Sequence, residues 1–222
     1  MKSKAPFDVV CFDCDSTLSR VEGIDELAER AGIGEEMAAL TKAAMDGSLK
    51  LEAIYARRLE LIRPNTASIQ WLAARYIDER VEGAGEVIAA LKRRGKAVHI
   101  ISGGIRQAIL PLAAMLGVAK ENVHAVDLHF AEDGSYAGFD TESPLAKSGG
   151  KAAVCNILMN SSRSLTLVGD GITDVEAADA GAFVIGFGGV ASRDLVRRSA
   201  AVYIDSAALT PVLEHILTPF ER

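Results

Sequence analysis

Short apolar runs alternate along this chain with longer amphipathic segments, the pattern expected where helices cover a parallel sheet. The runs Phe7 to Phe12, Ala97 to Ile101, Ser164 to Val168, Ala182 to Ile185 and Ala201 to Ile204 predict strands. Between them, apolar positions recur at helical spacing from Gly85 to Arg94, from Arg106 to Leu116 and from Lys151 to Met159. The stretch Val123 to Phe139 behaves differently. Alternating runs flank Ala131-Glu132-Asp133-Gly134, and the Asp-Gly pair predicts a β-hairpin turn.

More than 80 residues separate Phe12 from Ala97, and none of them forms a convincing strand. They hold helical patterns at Glu22 to Ala31, Glu35 to Met45, Leu51 to Ile62 and Thr66 to Tyr76. A single crossover helix needs far less chain, so this stretch reads as a helical subdomain inserted after the first strand. The expected organisation is a three-layer α/β core, residues 1–17 and 82–222, with a small helical cap over residues 18–81.

Composition narrows the field. The chain has 222 residues, 49% of them hydrophobic and 24% charged, enough apolar content for one sizeable core. A net charge of −6 argues against a general nucleic-acid or anionic-membrane binder. Any anionic substrate must therefore be met by a few placed cations and helix ends. No apolar run approaches the roughly 18 residues of a spanning helix, and the start shows no signal-peptide pattern. Three cysteines, Cys11, Cys14 and Cys155, suit a reducing cytoplasm.

Four motifs concentrate the chemistry. Asp13-Cys14-Asp15-Ser16-Thr17 follows the first strand directly, where ligands bind in open parallel sheets. One of its carboxylates can attack phosphorus while the other protonates the leaving oxygen and later activates water. Ser102-Gly103-Gly104 lies at a second strand end and opens a helix, where backbone amides bind phosphate readily; Ser102 can equally be a plain N-cap. Lys151, after Ser148-Gly149-Gly150, is a cation in a first helical turn, opposed to the helix dipole unless an anion lies nearby. A solvent-exposed lysine is the other reading of that position. Gly169-Asp170-Gly171-Ile172-Thr173-Asp174 places two acids at a glycine-rich strand end, suited to a hard divalent cation. Asp13, the Asp15 carbonyl and Asp170 are candidate magnesium ligands, with Asp174 an orienting residue; Thr173 and Glu176 fit a capping box.

In this order the four motifs resemble the haloacid dehalogenase-like hydrolases. The similarity extends through Glu22-Gly23-Ile24-Asp25-Glu26-Leu27, Arg58-Leu59-Glu60-Leu61-Ile62, Tyr136-Ala137-Gly138-Phe139-Asp140 and Ile185-Gly186-Phe187-Gly188-Gly189, and so over nearly the whole chain. The resemblance implies a Rossmann-like core and a magnesium-dependent phosphatase acting on L-phosphoserine. Another small phosphomonoester, or transfer to an alcohol acceptor such as homoserine, is one alternative, and a catalytically silent phosphate-binding regulatory protein a more remote one. The resemblance implies Asp13 as nucleophile, Asp15 as general acid and base, and Asp13, Asp15 and Asp170 as metal ligands. Thr17, Ser102, Gly103, Lys151 and Thr173 would meet the phosphoryl group. Glu22 would bind the substrate ammonium and Arg58 its carboxylate, with Met45 and Gly104 lining the pocket. Leu51 departs from an aromatic that some members place nearby.

Arg58 also stands out without the resemblance. It lies seven residues from Leu51, on the face of the stripe Leu51, Ile54, Tyr55, Leu59 and Ile62, where a guanidinium needs an anionic partner. That partner is a substrate carboxylate or a neighbouring acid. The four histidines, His99, His124, His129 and His215, show no ligand spacing, and Gly186 to Gly189 reads as a turn. Neither a nucleic acid nor a membrane is an expected partner, and monomer and homodimer both stay open.

Overall fold

The computed structural model describes residues 7–35, 37, 40, 51–159 and 164–221. Most of the helix expected from Glu35 to Met45, and Met45 itself, lie outside the described residues. Six parallel strands form the main sheet in the order β3-β2-β1-β6-β7-β8. In chain order these are β1 (Val9–Phe12), β2 (Ala97–Ile105), β3 (Val123–Val126), β6 (Leu165–Gly169), β7 (Phe183–Phe187) and β8 (Val202–Ile204). A separate antiparallel pair consists of β4 (Leu128–Phe130) and β5 (Tyr136–Phe139).

Among the described residues, the helices of eight residues or more are α1 (Gly23–Arg30), α2 (Leu51–Ile62), α3 (Thr66–Asp78), α4 (Ala84–Arg93), α5 (Arg106–Met115) and α6 (Gly150–Met159). Short helices α7 (Ile172–Val175), α8 (Asp194–Ser199) and α9 (Leu213–Ile216) follow. Among the described residues, no helix is long and apolar enough to cross a membrane.

Every residue of β1 and β6 is buried, as expected for central strands covered on both faces. Buried Val87, Ile88 and Leu91 of α4 and Ala108, Ile109 and Leu112 of α5 join these strands in one apolar core. The sheet order reverses at β1. The chain builds outward from it through β2 and β3, then returns to add β6 on its other side. Such a reversal opens a crevice at the carboxyl ends of the central strands.

Helices α1 to α3 all fall between β1 and β2, the long strandless stretch. The chain leaves and re-enters the core through paired segments: Ser19 and Arg80 form an antiparallel bridge, and the Val81 N–H donates to Leu18 O at 2.9 Å. α3 packs along α5 of the core. On α2, Ile54, Tyr55 and Leu59 are buried, in accord with the predicted stripe. Tyr55 rests on Phe139 of β5, ring centroids 5.4 Å apart, so the hairpin supports the inserted helices.

Two local expectations differ from the structure. Val123 to Val126 belongs to the main sheet as its edge strand, and only β4 and β5 make the hairpin. β2 also runs on through Ser102, Gly103 and Gly104 to Ile105, with a register shift against β3. Helix α5 opens at Arg106, where its helical pattern begins, so Ser102 is not its N-cap.

Candidate active site

The register of the central strands assembles the site. Phe12 pairs with Ile100 on one side and Val168 on the other, and the Asp13 N–H continues the ladder to Val168 O at 2.9 Å. The chain then turns sharply. The Cys14 carbonyl accepts from the N–H groups of Leu18 and Ser19, at 2.9 and 3.0 Å, and Ser16 adopts a left-handed φ of 51°. That turn sends the two acids of the motif to different partners.

Asp13 Oδ1 accepts the Cys14 N–H at 2.7 Å, and Oδ2 lies 2.7 Å from Lys151 Nζ. Asp15 faces the inserted helices: Oδ1 accepts from the Tyr76 hydroxyl at 2.6 Å and Oδ2 from the Gly23 N–H at 3.2 Å. Lys151 sits in the first turn of α6, 5% exposed, and also contacts Asp174 Oδ1 at 2.7 Å. Its approach depends on Gly150, where a Cβ would lie 2.0 Å from Pro144 O.

The end of β6 completes the group. Asp174 folds back against Gly169, where a Cβ would be 2.1 Å from the Asp174 Cγ, and its Oδ2 accepts the Gly171 N–H at 2.9 Å. Asp170 Oδ1 accepts from the Thr17 hydroxyl at 3.3 Å, and its Oδ2 from Arg193 Nε at 3.0 Å. Arg193 also reaches Glu22 Oε1 at 3.1 Å, and Ser16 Oγ donates to the same oxygen at 2.7 Å.

A cavity of about 260 Å³ opens beside this group at the carboxyl edge of the sheet. Asp13, Asp15, Lys151, Asp170 and Thr173 form its core wall, joined by Ser102, Gly103 and Gly104. Glu22, Asp25, Tyr55 and Arg58 form the wall from the insert. The Tyr55 hydroxyl, buried there, has no hydrogen-bond partner among the described residues, which suits a polar ligand. A larger groove of about 800 Å³ at the start of α4 shares no lining residue with this cavity.

Buried Asp170 and Asp174 and half-buried Asp15 face few cations, and their pKa values rise accordingly. Burial pushes Asp15 up to about 8, helped by the charges of Glu22 and Asp13 and opposed by the bonds from Tyr76 and Gly23. Burial and then Asp13 raise Asp170 to about 6, against the pull of Arg193. Burial raises Asp174 to about 7, although Lys151 opposes it. For Lys151, burial works against the charge, but Asp13 and Asp174 outweigh it and hold the ammonium well above its usual range.

This surplus of buried carboxylate fits a metal ion. One oxygen from each of Asp13, Asp170 and Asp174 lies within 4.8 Å of the others, a hard donor set that can hold a divalent cation.

Of the residues expected from sequence, Asp13, Asp15, Glu22, Arg58, Ser102, Gly103, Gly104, Lys151, Asp170 and Thr173 all meet at this cavity. Thr17 does not line it. Its fully buried hydroxyl instead supports Asp170, because the turn after Asp15 carries the side chain under the acid. The capping box expected of Thr173 and Glu176 is not formed. α7 starts two residues earlier, with Gly171 as N-cap, and Glu176 accepts from the Gly149 N–H at 3.2 Å. Ser102 Oγ accepts the Gly104 N–H at 3.0 Å within the strand extension. Arg58 lies 2.9 Å from Asp25 Oδ1, the neighbouring-acid partner.

Sequence reasoning missed Tyr76 and Arg193. A signal for Arg193 existed in its place, a loop following the glycine-rich end of β7, which is another carboxyl strand end.

Fold and site together define a class. The chain belongs to the haloacid dehalogenase-like hydrolases, whose family model matches residues 7–181. Within that family it is similar to phosphoserine phosphatases. The one from Bos taurus is 39% identical over 210 residues, covering 93% of this chain and 93% of the bovine protein. Among solved structures, a substrate-bound phosphoserine phosphatase complex is 27% identical with a TM-score of 0.79, covering 96% of this chain and all of that one. A phospho-aspartyl intermediate analogue of phosphoserine phosphatase has a TM-score of 0.77 at the same identity and coverage.

Proposed function

We infer that this chain hydrolyses L-phosphoserine to L-serine and phosphate through a phosphoryl group carried on Asp13. The observation that carries this is the pairing of two differently used carboxylates. Asp13 is held by Lys151 at 2.7 Å, and Asp15 is held two residues on by donors from the insert. The likeness to phosphoserine phosphatases over 93% of the chain supports the substrate.

Asp13 forms a bond to phosphorus as the serine oxygen departs in line with it. Asp15 gives its proton to that oxygen, which leaves as a neutral hydroxyl. Lys151, the Ser102 hydroxyl and the Gly103 amide offset the charge on the transferring group. Asp15, now a base, takes a proton from water as water attacks phosphorus and frees Asp13. Asp13, Asp170 and the Asp15 carbonyl are the proposed holders of magnesium, which when bound neutralises phosphoryl charge. Asp174 has both carboxylate oxygens engaged, with Lys151 and the Gly171 N–H, which suits orienting the lysine over binding metal.

Residues 18–81 form the cap in this scheme, and residues 1–17 and 82–222 the catalytic core. The single bridge between Ser19 and Arg80 gives the cap a narrow base, suited to opening for exchange and closing against water. Glu22 and Arg58 reach the cavity from the cap and are placed to read the ammonium and carboxylate of an amino acid. Both are engaged in ion pairs, Glu22 with Arg193 and Arg58 with Asp25, and a substrate would compete with these partners. The three free cysteines suit a cytoplasmic protein.

Steady-state phosphate release from a panel of esters tests the assignment. L-Phosphoserine should be preferred, and EDTA should stop its turnover. Arg58→Ala should lower kcat/KM for phosphoserine by about 10- to 100-fold, the loss of one charged contact, while esters lacking a carboxylate change little. An Arg58→Ala enzyme with undiminished phosphoserine turnover would refute the specificity.

A further inference from the structure

We infer that Tyr76 is a positioning residue for Asp15, so that the acid of the core is aimed by the inserted helices. The inference rests on the phosphatase reading above and deepens it. Asp15 belongs to the loop after β1, yet both groups bonded to its carboxylate come from residues 18–81: the Tyr76 hydroxyl at 2.6 Å and the Gly23 N–H at 3.2 Å. Two donors on different oxygens fix both the plane and the tilt of a carboxylate. Either one alone leaves it free to rotate about the bond to Cβ.

The geometry around the hydroxyl is built, not incidental. Tyr76 is fully buried, 61 residues along the chain from Asp15. Its oxygen occupies space that exists only because residue 23 is glycine: a Cβ there would lie 2.1 Å from it. A Cβ at Gly104 would approach the same oxygen to 3.4 Å, so the hydroxyl stands where the α1 start, the β2 extension and the acid loop meet. A buried phenol needs a polar partner, and this one is spent on the proton donor of the reaction.

In the first step, the bond from an Asp13 oxygen to phosphorus forms, the bond from phosphorus to the serine oxygen breaks, and the Asp15 proton moves to that oxygen. A serine alkoxide is a poor leaving group and needs the proton. Acetate, expelled from acetyl phosphate, does not. Tyr76→Phe keeps the ring and its packing and removes only the oxygen.

The test compares kcat/KM for L-phosphoserine and acetyl phosphate, a quantity that covers steps through the first departure. For Tyr76→Phe we expect phosphoserine to fall about 10- to 100-fold, part of what general acid catalysis supplies. Acetyl phosphate should stay within about threefold of wild type, as expected where no proton is required. In an Asp15→Asn background the same change should have no further effect on phosphoserine, because the two residues act as one unit. Equal falls for both substrates, no fall for phosphoserine, or an additive fall in the double variant would overturn the role of Tyr76. Wild-type enzyme inactive on phosphoserine would instead overturn the proposed substrate, and the selectivity of the Tyr76→Phe effect could then be read on whichever alkyl phosphate the panel identifies.

Discussion

Asp13→Asn should abolish turnover of every phosphate ester, lowering kcat by about 10⁴-fold or more, the scale seen when a covalent nucleophile is removed. The amide matches the carboxylate in size, and its oxygen can still accept the Cys14 N–H that the acid accepts at 2.7 Å. What it loses is the negative charge and lone pair that attack phosphorus. The fold should survive. Lys151 keeps Asp174 at 2.7 Å, and one charge fewer relieves the crowding that raises Asp15 and Asp170. Phosphate release measured beside thermal unfolding separates the two effects. A variant folded like wild type and working within tenfold of its rate would contradict the nucleophile assignment.

Lys151→Met should fail on both counts. The ammonium lies between Asp13 and Asp174 with a side chain only 6% exposed, against acid side chains that are 10% and 0% exposed. Removing one partner from such a buried group leaves carboxylates without compensation, a loss of about 3–5 kcal/mol of stability. Asp174, whose pKa burial raises and the lysine opposes, would take up a proton to escape it. Losing a cation aimed at the transferring phosphoryl group should lower kcat about 10²- to 10³-fold in its own right. Denaturant unfolding and phosphate release on the same preparation measure the two effects. A variant as stable as wild type would mean that the buried lysine does not neutralise this cluster.

The parts of this molecule that were legible in its sequence are those specified locally. Phe7 to Phe12 reads as a strand because its apolar run is short and ends at Asp13, and strand ends of such sheets are where sites form. Lys151 and Asp170 follow by the same logic, each in a glycine-rich link beside a strand or helix end. The inserted helices were legible because a long strandless stretch of amphipathic pattern has few other meanings.

What escaped depends on distant pairing. Tyr76 looks like core packing on α3, and only the docking of that helix brings it to Asp15. Arg193 reaches Glu22 across 171 positions. His99 and His124, 25 positions apart, stack at 5.3 Å with ring nitrogens 3.1 Å apart, because β2 pairs with β3. Val123 to Val126 alternates like its neighbours, and strand order alone decides which sheet it joins. The Thr173–Glu176 capping pattern failed because Asp174, one position after Thr173, takes the N-terminal amide first.

The central claim is a phosphoryl group bound covalently to one carboxylate. Rapid quenching of the enzyme during turnover of L-phosphoserine, followed by proteolysis and mass spectrometry of the peptide holding Asp13, tests it most directly. A phosphoryl adduct on Asp13 that appears within the first turnover and decays as phosphate is released is the predicted result. Full turnover with an unmodified Asp13 peptide, or an adduct on another residue, would contradict it.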